Sequence, residues 1–292
     1  MLPDYQIVAF DNFGKFHPII VEHYPAGEPY IKETPVTCKA LIVRPKSLDT
    51  LMAALFLLDT SWAHHWGSVD LILPYFPGAR QDKLYARHQG DQLFTARSIA
   101  KIINNTEGIK SIKILDPHSS VVQSHLATHA GLREIKILPA PFVLGKYWES
   151  GMQMMFDKNY AGIITPDKGA TERAKQVAEY LEIDRILHCE KKRDPLTGKL
   201  IGFEVEDPVW YGNDPYLVVD DICDGGGTFV GIADEYRRLG YISNLDLFVS
   251  HGIFSQGTSA LKEKYGTIYC SDSVLDNRFN GVTVIPTVER ML

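Results

Sequence analysis

Short apolar runs alternate with helix-period segments along this chain, and the alternation occurs twice. In the first half, Ala40-Leu41-Ile42-Val43 is apolar throughout and reads as a buried strand. Leu48 to Leu58 follows with helical spacing; Leu48, Leu51, Met52 and Leu55 share a face, and Ser47 is the expected N-cap. Val69–Leu73 is the next strand, stopped by Pro74. Thr95 to Ile103 is the next helix, capped by Thr95, with Ile99, Ile102 and Ile103 turned inward; Ile112–Leu115 is a third strand. In the second half, Gly162–Ile164, Leu217–Val219 and Leu245–Val249 read as strands. One helix runs through Ala174, Val177 and Leu181, and another through Phe229, Ile232 and Tyr236 to an end near Gly240. Ile186-Leu187 and Leu200–Val205 flank Asp194-Pro195-Leu196-Thr197-Gly198, the pattern of a charged hairpin or flap. Such alternation predicts an α/β protein with mostly parallel sheets covered by helices on both faces. Its repetition predicts two similar domains, 1–148 and 149–292, joined around 140–160.

The 292 residues are enough for two ordinary domains. Net charge is −6 with Lys and Arg scattered, which argues against a nucleic-acid coat and leaves room for an anionic small substrate. The longest apolar run, Leu51 to Leu58, is too short to span a bilayer, and Met1-Leu2-Pro3-Asp4 lacks the start of a secretion signal. Neither nucleic acid nor membrane is expected as a partner. Cys38, Cys189, Cys223 and Cys270 form no CxxC pair, so reduced thiols in a cytoplasmic protein are expected rather than zinc or disulfides. Cys223 is expected to fill a small buried apolar space.

Open α/β sheets bind ligands at the carboxyl ends of their strands. Polar clusters fall at those ends: Pro74–Lys83, Asp116–His118, Asp167–Arg173, Asp220–Thr228 and Ser250–Ser255. The most informative is Asp220-Asp221-Ile222-Cys223-Asp224-Gly225-Gly226-Gly227-Thr228. Paired carboxylates accept hydrogen bonds from vicinal hydroxyls. Gly225, Gly226 and Gly227 let backbone N–H groups curl around a phosphate at a helix start, and Thr228 adds a hydroxyl and is expected to cap that helix. A ligand with a diol at one end and a phosphate at the other satisfies both halves, and ribose 5-phosphate is the simplest.

This segment resembles the phosphoribosyl pyrophosphate loop of type I phosphoribosyltransferases and of ribose-phosphate pyrophosphokinases. The rest of the chain is similar to the second family. Pro74-Tyr75-Phe76-Pro77-Gly78-Ala79-Arg80-Gln81-Asp82-Lys83 resembles the run PYFxYARQDR, which in that family helps hold ATP. Asp116-Pro117-His118 resembles D-L-H, where the histidine is a magnesium ligand close to ATP, and Gln123 and His125 suit the same pattern. Thr165-Pro166-Asp167-Lys168-Gly169 resembles S-P-D-x-G, whose aspartate completes the metal site. Glu190-Lys191-Lys192-Arg193 resembles D-K-R-R at the base of a catalytic flap. Ser250-His251-Gly252-Ile253-Phe254-Ser255 resembles T-H-P-I-F-S and is taken as architecture. Tyr24-Pro25-Ala26-Gly27-Glu28 resembles F-S-D-G-E, a loop that in the family reaches into a neighbouring subunit and sandwiches adenine.

The resemblance implies two phosphoribosyltransferase-like (Rossmann-like) domains and a magnesium-dependent pyrophosphokinase with ATP as co-substrate. The implied roles are Lys191 and Arg193 as catalytic residues and His118 and Asp167 as Mg²⁺ ligands. Tyr24, Glu28, Arg80, Gln81, Asp82 and His118 would bind ATP. Asp220, Asp221, Asp224, Gly225, Gly226, Gly227 and Thr228 would bind the ribose phosphate. It also implies a homodimer or higher homo-oligomer. The pattern breaks at a few positions. The family loop reads D-T-A/G-G-T, so Gly225 removes a hydroxyl; Ala26, Pro117 and Lys83 replace aspartate, leucine and arginine. A more open phosphate cradle would admit a substituted phosphate such as ADP-ribose, the alternative acceptor. A phosphoribosyltransferase and a non-catalytic regulatory subunit are the remaining rivals.

Overall fold

The computed structural model describes residues 2–83, 93–129, 133–149, 159–193, 200–205, 215–240, 244–274 and 280–292; the side chains of 62–64, 129, 146–149, 191–193, 200–201 and 205 also lie outside that description. The chain divides into two compact units, and each is described by itself. The first comprises Met1–Leu138 with Ser273–Leu275 and Val288–Leu292; the second comprises Pro139–Asp272 with Asp276–Thr287.

In the first unit, strands β1 (Ile7–Phe10) and β2 (Phe16–Ile19) pair antiparallel. A separate hairpin of β3 (Val21–His23) and β4 (Pro29–Ile31) follows. Then come β5 (Ala40–Val43), α1 (Leu48–His64), β6 (Val69–Leu73), α2 (Thr95–Asn105), β7 (Ile109–Leu115), α3 (Ser120–His129) and β8 (Glu134–Leu138). The sheet order is β2-β1-β5-β6-β7-β8, with β5 to β8 parallel. All four residues of β5 are buried, because a parallel strand covered on both faces has no polar side.

The second unit begins with α4 (Pro141–Glu149) and β9 (Gly162–Thr165). A short 3-10 turn (Lys168–Ala170) leads into α5 (Thr171–Tyr180). Then come β10 (Ile186–Arg193), β11 (Leu200–Val205), β12 (Tyr216–Cys223), α6 (Gly227–Arg238), β13 (Leu245–Gly252), α7 (Ser259–Lys262), β14 (Ile268–Ser271) and β15 (Thr283–Ile285). The order is β11-β10-β9-β12-β13-β14-β15, and β10–β11 is the antiparallel pair. From β9 the chain steps outward to β10 and β11, then crosses back to place β12 on the other side of β9. That reversal makes the β9/β12 boundary the topological switch point, where a crevice opens at the carboxyl ends.

The expected class, α/β with mostly parallel sheets, is what the structure has. Several local expectations are corrected. Leu48 and Ile102 are exposed. The buried stripe of α2 runs through Ala96, Ile99, Ala100 and Ile103, so Ile102 turns past its edge. Thr95 is the first residue of α2, not its cap, and its hydroxyl is bonded to Gln81 instead. Helix α1 continues beyond Leu58 to His64, and Ser47 caps it as expected by accepting from Thr50 N. Strand β12 runs four residues beyond Val219, carrying both acids inside the sheet. Among the described residues, no helix is long and apolar enough to cross a membrane.

Candidate active site

Strand β12 is buried from Tyr216 to Val219, where parallel pairing with β9 and β13 leaves no polar face. At its end stand Asp220 and Asp221, their side chains 17% and 4% exposed. Asp220 Oδ1 accepts from its neighbour's backbone N at 2.9 Å. Arg173 on α5, 9% exposed, places Nη1 3.7 Å from Asp220 Oδ1 and 3.7 Å from Asp221 Oδ1. Burial, then the Asp221 carboxylate, push the Asp220 carboxyl well above its ordinary range, while the Arg173 guanidinium pulls it back down.

Beyond Cys223 the chain bends through Asp224 and Gly225, and Gly226 takes the N-cap of α6 at φ +79°. Left-handed backbone at that position favours glycine. Thr228 lies inside the first turn of α6 and is not its cap. The α6 N-terminus, with its N–H groups unpaired by the helix itself, therefore opens beside the acid pair. Backbone bonds lay the segment after β13 against this bend: Ile253 N and Phe254 N donate to Cys223 O, and Ser255 N donates to Asp224 O. The Cys223 thiol is buried and pushed up to about 12, first by burial and then by Asp220 and Asp224, so it is inert filling as expected.

Across the switch point, Asp167 follows β9. Its Oδ1 accepts from Gly169 N at 2.9 Å and Ala170 N at 3.3 Å, which fixes the carboxylate on the turn. Lys168 of that turn binds Glu190 on β10 at 2.6 Å and holds that carboxyl below its usual range. Lys191 and Arg193 are in the last residues of β10, with Lys191 opposite Phe203 of β11; their side chains lie outside the described residues, as do 194–199. His251 is buried in β13 beside Ile222, in agreement with an architectural role.

In the first unit, the residues expected to hold ATP also stand after strands. Arg80 and Gln81 are exposed after β6, and Asp82 is buried. The Gln81 carbonyl accepts from Ala96 N at 3.3 Å, so this residue also anchors the start of α2. His118 is exposed after β7, where Asp116 takes φ +34° and donates its N–H to Leu138 O at 2.7 Å. Tyr24 and Glu28 lie on the β3–β4 turn, closed by Tyr24 N to Glu28 O at 2.9 Å. The Tyr24 ring packs on Tyr30 with centroids 4.6 Å apart. His23 bonds Asp49 of α1 at 2.6 Å, fastening the hairpin.

The comparisons with known proteins point one way. No family model matches the chain. A ribose-phosphate pyrophosphokinase of Pyrococcus furiosus is 26% identical over 278 residues, covering 93% of this chain and 91% of that protein. Another from Mycoplasmopsis pulmonis is 29% identical over 209 residues, 72% of this chain and 60% of that relative's length. The chain is thus similar in sequence to ribose-phosphate pyrophosphokinases over most of its length. The crystal structure of phosphoribosylpyrophosphate synthetase from Mycobacterium smegmatis superposes with a TM-score of 0.72 over 94% of this chain and 87% of that one, at 22% identity, which establishes the same fold. The expected enzyme class, an ATP-dependent diphosphotransferase, agrees with these pyrophosphokinase relatives.

The structure thus gathers Asp220, Asp221, Asp224, Gly225, Gly226, Gly227 and Thr228 at one strand end of the second unit, with Asp167 on the turn after the neighbouring strand β9. His118, Arg80, Gln81, Asp82, Tyr24 and Glu28 belong to the first unit. The residue that sequence reasoning leaves out of the site is Arg173. Its signal is a charge on the apolar face of α5, where Arg173, Ala174, Val177 and Ala178 are all buried.

Proposed function

We propose that this protein transfers the β,γ-diphosphate of ATP to the C1 hydroxyl of ribose 5-phosphate, giving phosphoribosyl pyrophosphate and AMP. The observation that carries this reading is the acid pair Asp220–Asp221 at the switch point, followed three residues on by the glycine bend at the start of α6. The paired carboxylates accept from the sugar's vicinal hydroxyls. The N–H groups of Gly225, Gly226 and Gly227, with the Thr228 hydroxyl, surround the 5-phosphate, and the helix end favours its negative charge. Asp224 borders the same bend.

The C1 oxygen attacks the β-phosphorus in line. The bond from that phosphorus to the oxygen it shares with the α-phosphate breaks, AMP departs with that oxygen, and the hydroxyl proton passes to solvent. Reactions of this kind depend on positioning and charge neutralisation more than on covalent help. Lys191 and Arg193, carried by β10, are assigned to the transferring diphosphate. Tyr24 is assigned to the adenine face and Glu28 to its exocyclic amine, with Arg80, Gln81 and Asp82 on the nucleotide side.

Mg²⁺ is assigned by the resemblance to Asp167 of the second unit and His118 of the first, and ATP needs such an ion to mask its phosphate charge. The donor set fits: Asp167 offers hard carboxylate oxygen from a turn already fixed by two backbone bonds. Among the described residues, no group of three or more His, Cys, Asp or Glu could hold a metal. Magnesium suits such sparse protein ligation, keeping waters and phosphate oxygens for the rest. Four buried thiols suit a reducing cytoplasm.

Mass spectrometry of the products tests the reading. ATP, Mg²⁺ and ribose 5-phosphate should yield AMP and phosphoribosyl pyrophosphate in equal amounts. ADP-ribose in the same mixture should stay unchanged, since the named relatives point to ribose phosphate and no structural observation favours the larger acceptor. Absence of AMP with ribose 5-phosphate would overturn the proposal.

A further inference from the structure

Arg173 occupies a position where α5 otherwise buries alanine and valine. A guanidinium that far from water needs compensating charge, or its burial is strongly unfavourable. It finds that charge in the two acids of β12, at 3.7 Å from each. At 3.7 Å these two Nη1–Oδ1 contacts are charge pairings, longer than a direct hydrogen bond. The geometry is one cation shared equally between two carboxylates, reached from the side of α5.

We infer that Arg173 is the positioning residue of the acid pair, opposing protonation of the carboxylates and aiming them so that both accept from a sugar diol, without itself touching the sugar. This rests on the reading of Asp220 and Asp221 as the ribose-holding acids. A vicinal diol offers two donors. A protonated acid has lost part of its accepting capacity and presents a donor of its own. Two adjacent carboxylates so largely buried repel each other and tend to keep one proton between them, which would spoil half the site. A fixed cation opposes that tendency.

Other titratable groups surround this end of the sheet. Asp224 follows β12, and His251 lies on β13 beside Ile222. Lys168, after β9, is bonded to Glu190 of β10. His188 of β10 places Nδ1 3.3 Å from the Thr165 hydroxyl and 3.4 Å from that of Thr171. Glu172 and Lys175 on α5 are exposed. Arg173 stands at equal distance from the two acids.

The test compares wild type with Arg173→Met, which keeps an unbranched apolar stem and removes charge, and Arg173→Lys, which keeps charge and loses the fork. In Arg173→Met the KM for ribose 5-phosphate should rise about tenfold or more with the KM for ATP nearly unchanged, and the acid limb of kcat/KM should move up by about 1–3 pH units. Arg173→Lys should place that limb between the other two. Carbon-13 NMR titration of aspartate-labelled protein should show the same upward displacement of the pair, and it needs no turnover. Should wild type fail to turn over ribose 5-phosphate, the functional reading falls while the titration still judges Arg173. An acid limb and carboxyl titration unmoved in a folded variant would overturn the inference, as would equal losses in both KM values. If the Met variant does not fold, the Lys variant decides by the same two readouts.

Discussion

Gly225 and Gly226 are neighbours in one bend, yet only one of them is required by the backbone. Gly226 sits at φ +79°, and a Cβ there would meet Leu261 side-chain atoms at 3.3 Å. Left-handed geometry costs a residue with a side chain about 1–2 kcal/mol, and the leucine contact adds to it. Gly226→Ala should therefore lose stability of about that size or slightly more in urea denaturation. Gly225 carries no such strain, and a Cβ there would touch Gln256 Cγ at an ordinary 3.5 Å. Gly225→Thr should fold with stability within about 0.5 kcal/mol of wild type. Its hydroxyl, which the resembled loop carries at this place, should lower the KM for ribose 5-phosphate. A threonine variant that is as unstable as the alanine one would show that the bend needs two bare positions rather than one.

At the scale of elements, the strand that carries Lys191 is located by a close approach between β11 and α6. Gly231 lies inside α6, and a Cβ there would come within 2.2 Å of the Phe203 ring. Phe203 is buried and stands opposite Lys191 in the β10–β11 register. Alanine improves helix propensity by about 1 kcal/mol over glycine, but forcing a buried ring aside costs about 1–3 kcal/mol. The packing cost prevails, so Gly231→Ala should reduce stability and also lower kcat, because β11 must shift against the strand that ends at Lys191. A denaturation curve and a kcat measurement on the same preparation check both halves. The sequence alone showed a glycine in a helix pattern without its reason. Strands β5, β6, β9, β12 and β13 were legible because burial on both faces makes them mostly apolar, with an aspartate interrupting β6 and β13 and the acid pair following the apolar start of β12. Strand β2 was not: it contains His17 and Pro18 and is half exposed, so it has no such run. The polar run Asp59-Thr60-Ser61 hid the last turns of α1. The acid pair and glycine bend could be read from contiguous residues, whereas Arg173 reaches them from another helix and is visible only as a charge on an apolar stripe.

At the scale of the whole molecule, the chain does not simply finish one unit and then the other. Val288–Leu292 belongs with the first unit, although the strands of the second lie between. Val288 is fully buried and Met291 nearly so. The Lys113 ammonium on β7 donates to Met291 O at 2.8 Å and to Leu292 O at 3.0 Å, and Leu2 N donates to Glu289 Oε2 at 3.1 Å. Burying two such side chains is worth about 1.5–3 kcal/mol each. Surface hydrogen bonds add little by comparison. Removing residues 288–292 should therefore weaken the first unit by about 3–6 kcal/mol while leaving the acid pair and glycine bend of the second intact. Native-state hydrogen exchange separates the two effects. Amides of β6 and β7 should lose protection in the shortened chain, whereas those of β12 and β13 should keep theirs. Equal loss in both sets would mean that the two units open together, and the C-terminal residues would then support the entire molecule rather than one sheet of it.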